Sequence, residues 1–321
     1  MISIYVHENG DTRCEHKIDQ EWLKPGSPVV LWVDLSAPTP EEGSVLADVF
    51  HFHALAVEDA LSEIHHPKIE TYDGYLYLIL HDIDFQEEEH WFATHDVDFF
   101  LGPNYLVTVH DGRFRSISAI KEVCDKHDRV LAEGPAALLH RIVDSMVDNY
   151  RPEIESLEEH MNGLEDRAIL GHKPELVRDI LELKRDLASL RRVLIPQRDA
   201  LGRLARREFP AISDELTYRF RDVFDHLVRL SEEATLLQDR VTGILDAHLS
   251  TISNRLNMVM KVLTVMSTIF LPLTVLTGMW GMNVPLPTFP GGEAMQFWWV
   301  AGGMAAISGV MLAMFRHNGW L

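Results

Sequence analysis

Ten residues share one helical face when the sequence from Asp246 onward is followed at steps of three and four: Asp246, Leu249, Ser253, Asn257, Met260, Thr264, Ser267, Leu271, Thr274 and Gly278. Beyond Asp246 the oxygens on this face are all neutral. A small hard dication such as magnesium sheds its waters reluctantly, and neutral side-chain oxygens can hydrogen-bond the shell that it keeps without replacing it. Leu and Met repeated around an axis at the same depth would form constrictions that dewet. Periodicity allows two readings: a seam of small residues packing helix on helix, or the wall of an aqueous pore. A pore would need several copies of the chain, because one helix pair encloses nothing.

The elements that must position this face are long and apolar. Val262–Trp280 and Phe297–Phe315 are each nineteen residues without a charge. As helices each would rise roughly 28 Å, close to the hydrocarbon thickness of a bilayer. Two such runs in tandem predict a transmembrane hairpin, with Pro272 tolerated inside the first. Arg255 and Lys261 precede the first run and Arg316 follows the second, whereas Glu293 is the one charge between them. The positive-inside rule then places both termini in the cytoplasm. Upstream, the helical pattern has no clear stop back to Asp214, so one helix of about 67 residues, roughly 100 Å, is expected, although the pattern alone also allows a break near Gly243. Such an uncapped length suits a stalk in an oligomer.

The rest of the chain is acidic and mixed in pattern. The 321 residues contain 29 Lys+Arg and 49 Asp+Glu; the only charges from Val259 onward are Lys261, Glu293 and Arg316, which leaves residues 1–258 with 27 basic and 48 acidic side chains, a formal charge of −21. That balance argues against nucleic-acid binding and suits cations. Cys14 and Cys124 form no CxxC pair, as expected of a reduced, cytosolic setting, and the first residues do not read as a cleaved signal peptide. Strand patterns occur at 29–35, at Tyr72 with 74–85, at 96–102 and at 105–110, with a proline-initiated helix near Pro40 between the first two. Beyond Gly134 two long amphipathic patterns meet at a break over 171–174 and predict an antiparallel helix pair. No GxxxxGK[ST], GxGxxG after a strand, or GxSxG occurs, so an anchored cytosolic enzyme or sensor is only a remote alternative. Non-enzymatic function is the expectation.

The stretch SNRLNMVMKVLTVMSTIFLPLTVLTGMWGMN, two membrane runs and the closing Trp320-Leu321 resemble the CorA family of divalent-cation channels. Gly281-Met282-Asn283 stands where that family carries its signature, at the outer end of the first membrane helix. Residues 57–80 and 218–226 extend the resemblance more weakly. It implies an α+β multidomain membrane protein assembled as a funnel-shaped homopentamer. Its parts are a cytosolic α/β domain over 1–132, a helical pair over 133–212, a stalk over 213–258 and a transmembrane hairpin over 259–321. Within the hairpin the spans are expected at about 262–280 and 297–315, joined by a loop over 281–296.

By the same resemblance the activity is passive influx of Mg²⁺, with Co²⁺ or Ni²⁺, across the cell's inner membrane, without an organic cofactor. Asn283, beside Gly281 and Met282, would be the filter that holds the hydrated ion by its waters. Asp246, Leu249, Asn257, Met260, Leu263, Leu271 and Thr274 would line the pore, Leu271 replacing the methionine common at that position. Asp59 and Asp222, with Glu58 and Asp225 as second ligands, would bind regulatory Mg²⁺ between neighbouring subunits. Gly281 is expected to permit a tight turn. Two departures matter: the outer loop has one acid, Glu293, which leaves metal preference open, and the basic cluster before Trp320 shrinks to Arg316 and His317, so that fewer fixed charges at both ends would weaken ion concentration at the mouth. Zinc transporters of the ZntB type share the architecture and are the alternative. The seventeen histidines, including His51, His53, His65 and His66, show no HxxxH or Cys/His clustering that would favour zinc.

Overall fold

The computed structural model describes residues 1–24, 26–62, 66–86, 91–112, 114–126, 129–170, 175–282 and 292–320. By contact it divides into two units, Met1–Ile244 and Leu245–Leu321.

A seven-stranded sheet organises the first unit. β1 (Ile2–Glu8) and β2 (Asp11–Glu15) form a hairpin closed by Asn9 and Gly10 at φ 53° and 86°, the positive angles that a two-residue turn matched to strand twist requires. β3 (Val30–Ser36) pairs antiparallel with β1. Helix α1 (Pro40–Asp48) begins with a capping box: the Thr39 hydroxyl accepts from Glu42 N–H, and the Glu42 carboxylate accepts from Thr39 N–H. After α2 (Ala54–Leu61) come β4 (Lys68–Tyr72), β5 (Tyr75–Gln86), β6 (Trp91–Leu101) and β7 (Tyr105–His110). The spatial order is β2-β1-β3-β7-β6-β5-β4, with β3 and β7 parallel and every other pair antiparallel. Tyr72 and Gly74 do not share a strand with residues 75–85. Tyr72 ends β4, and the chain reverses at Asp73-Gly74, with Gly74 at φ 85°.

Strand alternation sends residues to two covered faces. Ile4, Val33, Ile79 and Val107 pack with Leu46 of α1 and Ala56 of α2. Trp32, Leu78, Leu80 and Phe99 have the opposite parity and are as fully buried. Their face is covered by α3 (Arg115–Lys126), α4 (Arg129–Ala132), α5 (Pro135–Leu170) and α6 (Glu175–Leu204). A sheet buried on both sides is why its strands are nearly continuous apolar runs. α5 and α6 are antiparallel: the Gln197 amide donates to the Tyr150 hydroxyl at one end, and Arg167 donates to Asp179 near the connection. Both helices run through an internal proline, Pro152 and Pro196.

α7 is one helix from Asp214 to Trp280, as its uninterrupted pattern predicts, and α8 spans Glu293–His317. The apolar windows of these two helices are 6% and 0% buried, so neither window is packed inside the described fold. Both are long and apolar enough to cross a membrane.

Candidate functional site

Within the second unit the two helices turn specific faces to each other. On α7 the less exposed positions include Lys261, Val265, Ile269, Pro272 and Leu276, and on α8 they include Val300, Met304, Ile307, Met311 and Phe315. Val265 and Phe315 are buried, and Lys261 Nζ donates to the Gly319 carbonyl at 2.8 Å. That ammonium sits at the carbonyl-rich end of α8, where a cation is favoured.

The stripe from Asp246 to Gly278 lies elsewhere on α7, and all ten of its residues are exposed. At 3.6 residues per turn its centre is roughly 130° around the helix from the α8 face. The stripe is therefore not a seam packing the two helices of one hairpin. A second side of α7, lined by Met258, Val259, Val262, Leu263 and Met266, is apolar. Leu263 stands on that side rather than in the centre of the stripe.

Hydroxyl geometry decides what the stripe offers a passing ion. Thr264 Oγ1 donates to the Met260 carbonyl at 2.8 Å, and Thr274 Oγ1 donates to the Phe270 carbonyl at 2.8 Å. Each hydroxyl proton is thus committed to the helix, and the oxygen lone pairs remain for an outside donor. Waters bound to a cation point their hydrogens outward. A wall of acceptors matches them.

At the end of α7, Gly281 N–H bonds the Thr277 carbonyl at 2.9 Å in the helical pattern. Gly281 is absent from the positive-φ residues, so the tight turn expected of it is not made in the left-handed region. A Cβ there would lie 3.2 Å from the Thr277 carbonyl oxygen, the same oxygen that the Gly281 N–H bonds. Met282 is exposed, and Asn283 lies outside the described residues.

The expected regulatory acids occupy two elements of the first unit. Asp59 is half-buried on α2, and its carboxylate accepts from Lys68 Nζ at 2.6 Å. Lys68 also donates to Glu70 at 3.0 Å, and Glu70 in turn accepts from the Tyr72 hydroxyl at 2.9 Å. Burial lowers the Lys68 pKa, but the bonds to Asp59 and Glu70 outweigh it and hold the ammonium above its usual range. Glu58 is exposed beside Asp59. Asp222 and Asp225 are exposed on α7, opposite Phe220, Val223 and Leu227, which are buried. Among the described residues no three His, Cys, Asp or Glu side chains converge to hold a metal within one chain. His65 lies outside the described residues.

Two buried acid clusters have no counterpart in the sequence reading. Asp34, fully buried, accepts from the Thr108 hydroxyl, from His110 Nε2 at 3.1 Å and from Lys121 Nζ at 2.5 Å. Gly112 N–H donates to His110 Nδ1 at 3.0 Å, which leaves the ring proton on Nε2, facing Asp34. Burial raises the Asp34 pKa, yet His110 and Lys121 together hold it below the usual carboxylate range. Asp98 accepts from the Tyr77 hydroxyl, and burial pushes its carboxyl up to about 7 against that bond. The signal for both was available: an acid within a strand buried on both faces must be partnered or protonated.

Residues 28–317 match the family described as CorA-like Mg²⁺ transporter protein. The chain belongs to the CorA family. The putative metal ion transporter YfjQ of Bacillus subtilis is 34% identical, over 90% of this chain and 89% of that protein. The cobalt/magnesium transport protein CorA of Thermotoga maritima is 30% identical, over 86% of this chain and 79% of that protein. Among solved structures, the complete CorA magnesium transporter of Methanocaldococcus jannaschii superposes with a TM-score of 0.83 at 24% identity, covering 100% of this chain and 99% of that one. That likeness establishes the CorA fold: an N-terminal α/β domain, a long helix and a C-terminal helix, with two apolar candidate spans. The protein is a membrane transporter of divalent cations.

Proposed function

We propose that the protein conducts hydrated Mg²⁺, and with it Co²⁺ and Ni²⁺, passively into the cell through a symmetric homo-oligomer, a pentamer by family resemblance. The observation that carries the reading is the exposed stripe on α7, whose threonine oxygens are acceptors and which faces away from α8. A polar face that the hairpin leaves open has to meet water or copies of itself, and a ring of copies around an axis supplies both. In this reading Asn257, Thr274 and Asn283 hold the ion through its shell. Leu249, Met260 and Leu271 form the constrictions, with Leu263 at the border between the stripe and the apolar side, Asp246 draws cations at the cytoplasmic end, and Gly281 and Met282 shape the filter. With both termini cytoplasmic, a potential of 100 mV drives a divalent ion inward by roughly 4.6 kcal/mol.

Cytosolic Mg²⁺ closes the pore by binding between subunits at Asp59 and Asp222, assisted by Glu58 and Asp225. In this reading two chains contribute the ligands of each site. The metal acts only through tighter binding to the closed arrangement.

Uptake into liposomes tests the reading. Mg²⁺ should enter under an inside-negative potential with no pH gradient, and Asn283→Ala should abolish entry while the oligomer persists. Zn²⁺ uptake that depends on a pH gradient, with no Mg²⁺ flux, would replace this reading with a ZntB-type zinc transporter.

A further inference from the structure

We infer that Lys68 is a built-in competitor for the cation at Asp59 and so sets the Mg²⁺ concentration at which the regulatory site fills. The inference rests on the regulatory role proposed above for Asp59. Lys68 Nζ lies 2.6 Å from Asp59 Oδ2, on the carboxylate an incoming ion would need. The pair is not a loose surface contact, since the two side chains are 32% and 26% exposed. A dication and an ammonium held on one carboxylate stand only a few ångströms apart and repel, so each weakens the binding of the other.

The surroundings make that exchange easy. Glu70 Oε1 is already 3.0 Å from the same ammonium, and the ring of Tyr77 lies with its centroid 5.5 Å away. A displaced Lys68 keeps a carboxylate and an aromatic face, so no buried charge is stranded when Mg²⁺ arrives. The Tyr72 hydroxyl holds Glu70 from its other oxygen and keeps this second seat in place. A compact ammonium on a flexible stem suits reversible exchange better than a planar guanidinium would.

Competition lowers apparent affinity by the fraction of time that Asp59 is open. If Lys68 occupies it for about 80–90% of the time without metal, the Mg²⁺ midpoint is about five- to tenfold higher than Asp59 alone would give. Low intrinsic occupancy at resting Mg²⁺ would leave such a site unsaturated and responsive.

The test is the Mg²⁺ midpoint for protection of the full-length protein from limited proteolysis, in detergent, for wild type, Lys68→Met, Lys68→Arg and Asp59→Asn. Lys68→Met should shift the midpoint about five- to tenfold lower. Lys68→Arg keeps the charge but can grip the carboxylate through two N–H donors, and should shift the midpoint higher. A purely structural role for Lys68 would not move the two variants in opposite directions. Lys68→Met with an unchanged or higher midpoint, or Lys68→Arg equal to wild type, overturns the inference. If Asp59→Asn keeps the wild-type midpoint, the regulatory reading of Asp59 falls, and this inference falls with it. Thermal unfolding without Mg²⁺ shows whether each variant is folded before its midpoint is compared.

Discussion

Thr274→Val isolates one oxygen of the proposed ion path. Valine has nearly the shape of threonine, so the change removes a hydroxyl and little else. The Thr274 hydroxyl donates to the Phe270 carbonyl at 2.8 Å. That carbonyl also faces the helical N–H of residue 274, so it is not orphaned by the substitution, and the exposed helix should lose less than about 1 kcal/mol. Permeation loses more. Each subunit would forfeit one acceptor for a cation-polarised water, a bond worth about 1.5–3 kcal/mol when one partner is charged. If a single subunit contacts the ion's shell at a time, the lower figure corresponds to about a tenfold fall in flux, since 1.36 kcal/mol is one decade. The assay is the initial rate of Mg²⁺ entry into liposomes holding matched amounts of oligomeric protein. Val262→Ile, on the apolar side of α7, is the control and should retain wild-type flux. A Thr274→Val rate within twofold of wild type would refute the claim that this oxygen helps carry the ion.

Two other changes address the scaffold. Lys121→Met removes the ammonium 2.5 Å from fully buried Asp34 while leaving the Thr108 and His110 bonds, and should cost about 2 kcal/mol, the scale of one charge-assisted hydrogen bond, seen as a lower Tm for the detergent-solubilised protein. Asp98 has a folded pKa of about 7, well above the usual carboxylate value, so its folded form holds a proton that the unfolded chain has lost between roughly pH 4 and 7. Its contribution to stability is therefore present at low pH and declines as pH rises through that window, by on the order of 4 kcal/mol if no other group compensates. Asp98→Asn should flatten this dependence, so that the variant gains on wild type between pH 5 and pH 8 in thermal unfolding.

Legibility in the sequence followed the range of the interactions. α7 could be read because nothing in its pattern stops it, and its polar face because helical period places residues three and four apart together. The α5–α6 pair was visible for the same reason. The hairpins are less legible: Asn9-Gly10 and Asp73-Gly74 both mark tight turns, yet the flanking strands are short or interrupted by charge. The parallel pairing of β3 with β7 joins residues more than seventy apart and has no local signature. Two side-chain contacts are equally silent in the sequence, one long in span and one short. Lys121 reaches Asp34 across 87 positions, and Lys68 reaches Asp59 only because β4 returns past α2. Nothing in the spacing of VEDALSEIHHPK marks that lysine as a partner of that aspartate.

Water access along α7 tests the central claim most directly. Cys14 is exposed and Cys124 buried, so a background of Cys14→Ser and Cys124→Ala permits single cysteines to be probed. Thr264→Cys and Leu271→Cys lie on the stripe, and Val262→Cys and Met266→Cys lie on the apolar side. The oligomer in liposomes is treated with a cationic, membrane-impermeant methanethiosulfonate, and Mg²⁺ flux is then measured. Modification of the two stripe positions, with loss of flux and protection by Mg²⁺, is the result the ion path predicts. Equal modification on both sides of the helix, or stripe cysteines that stay unmodified while the protein still conducts, would contradict it.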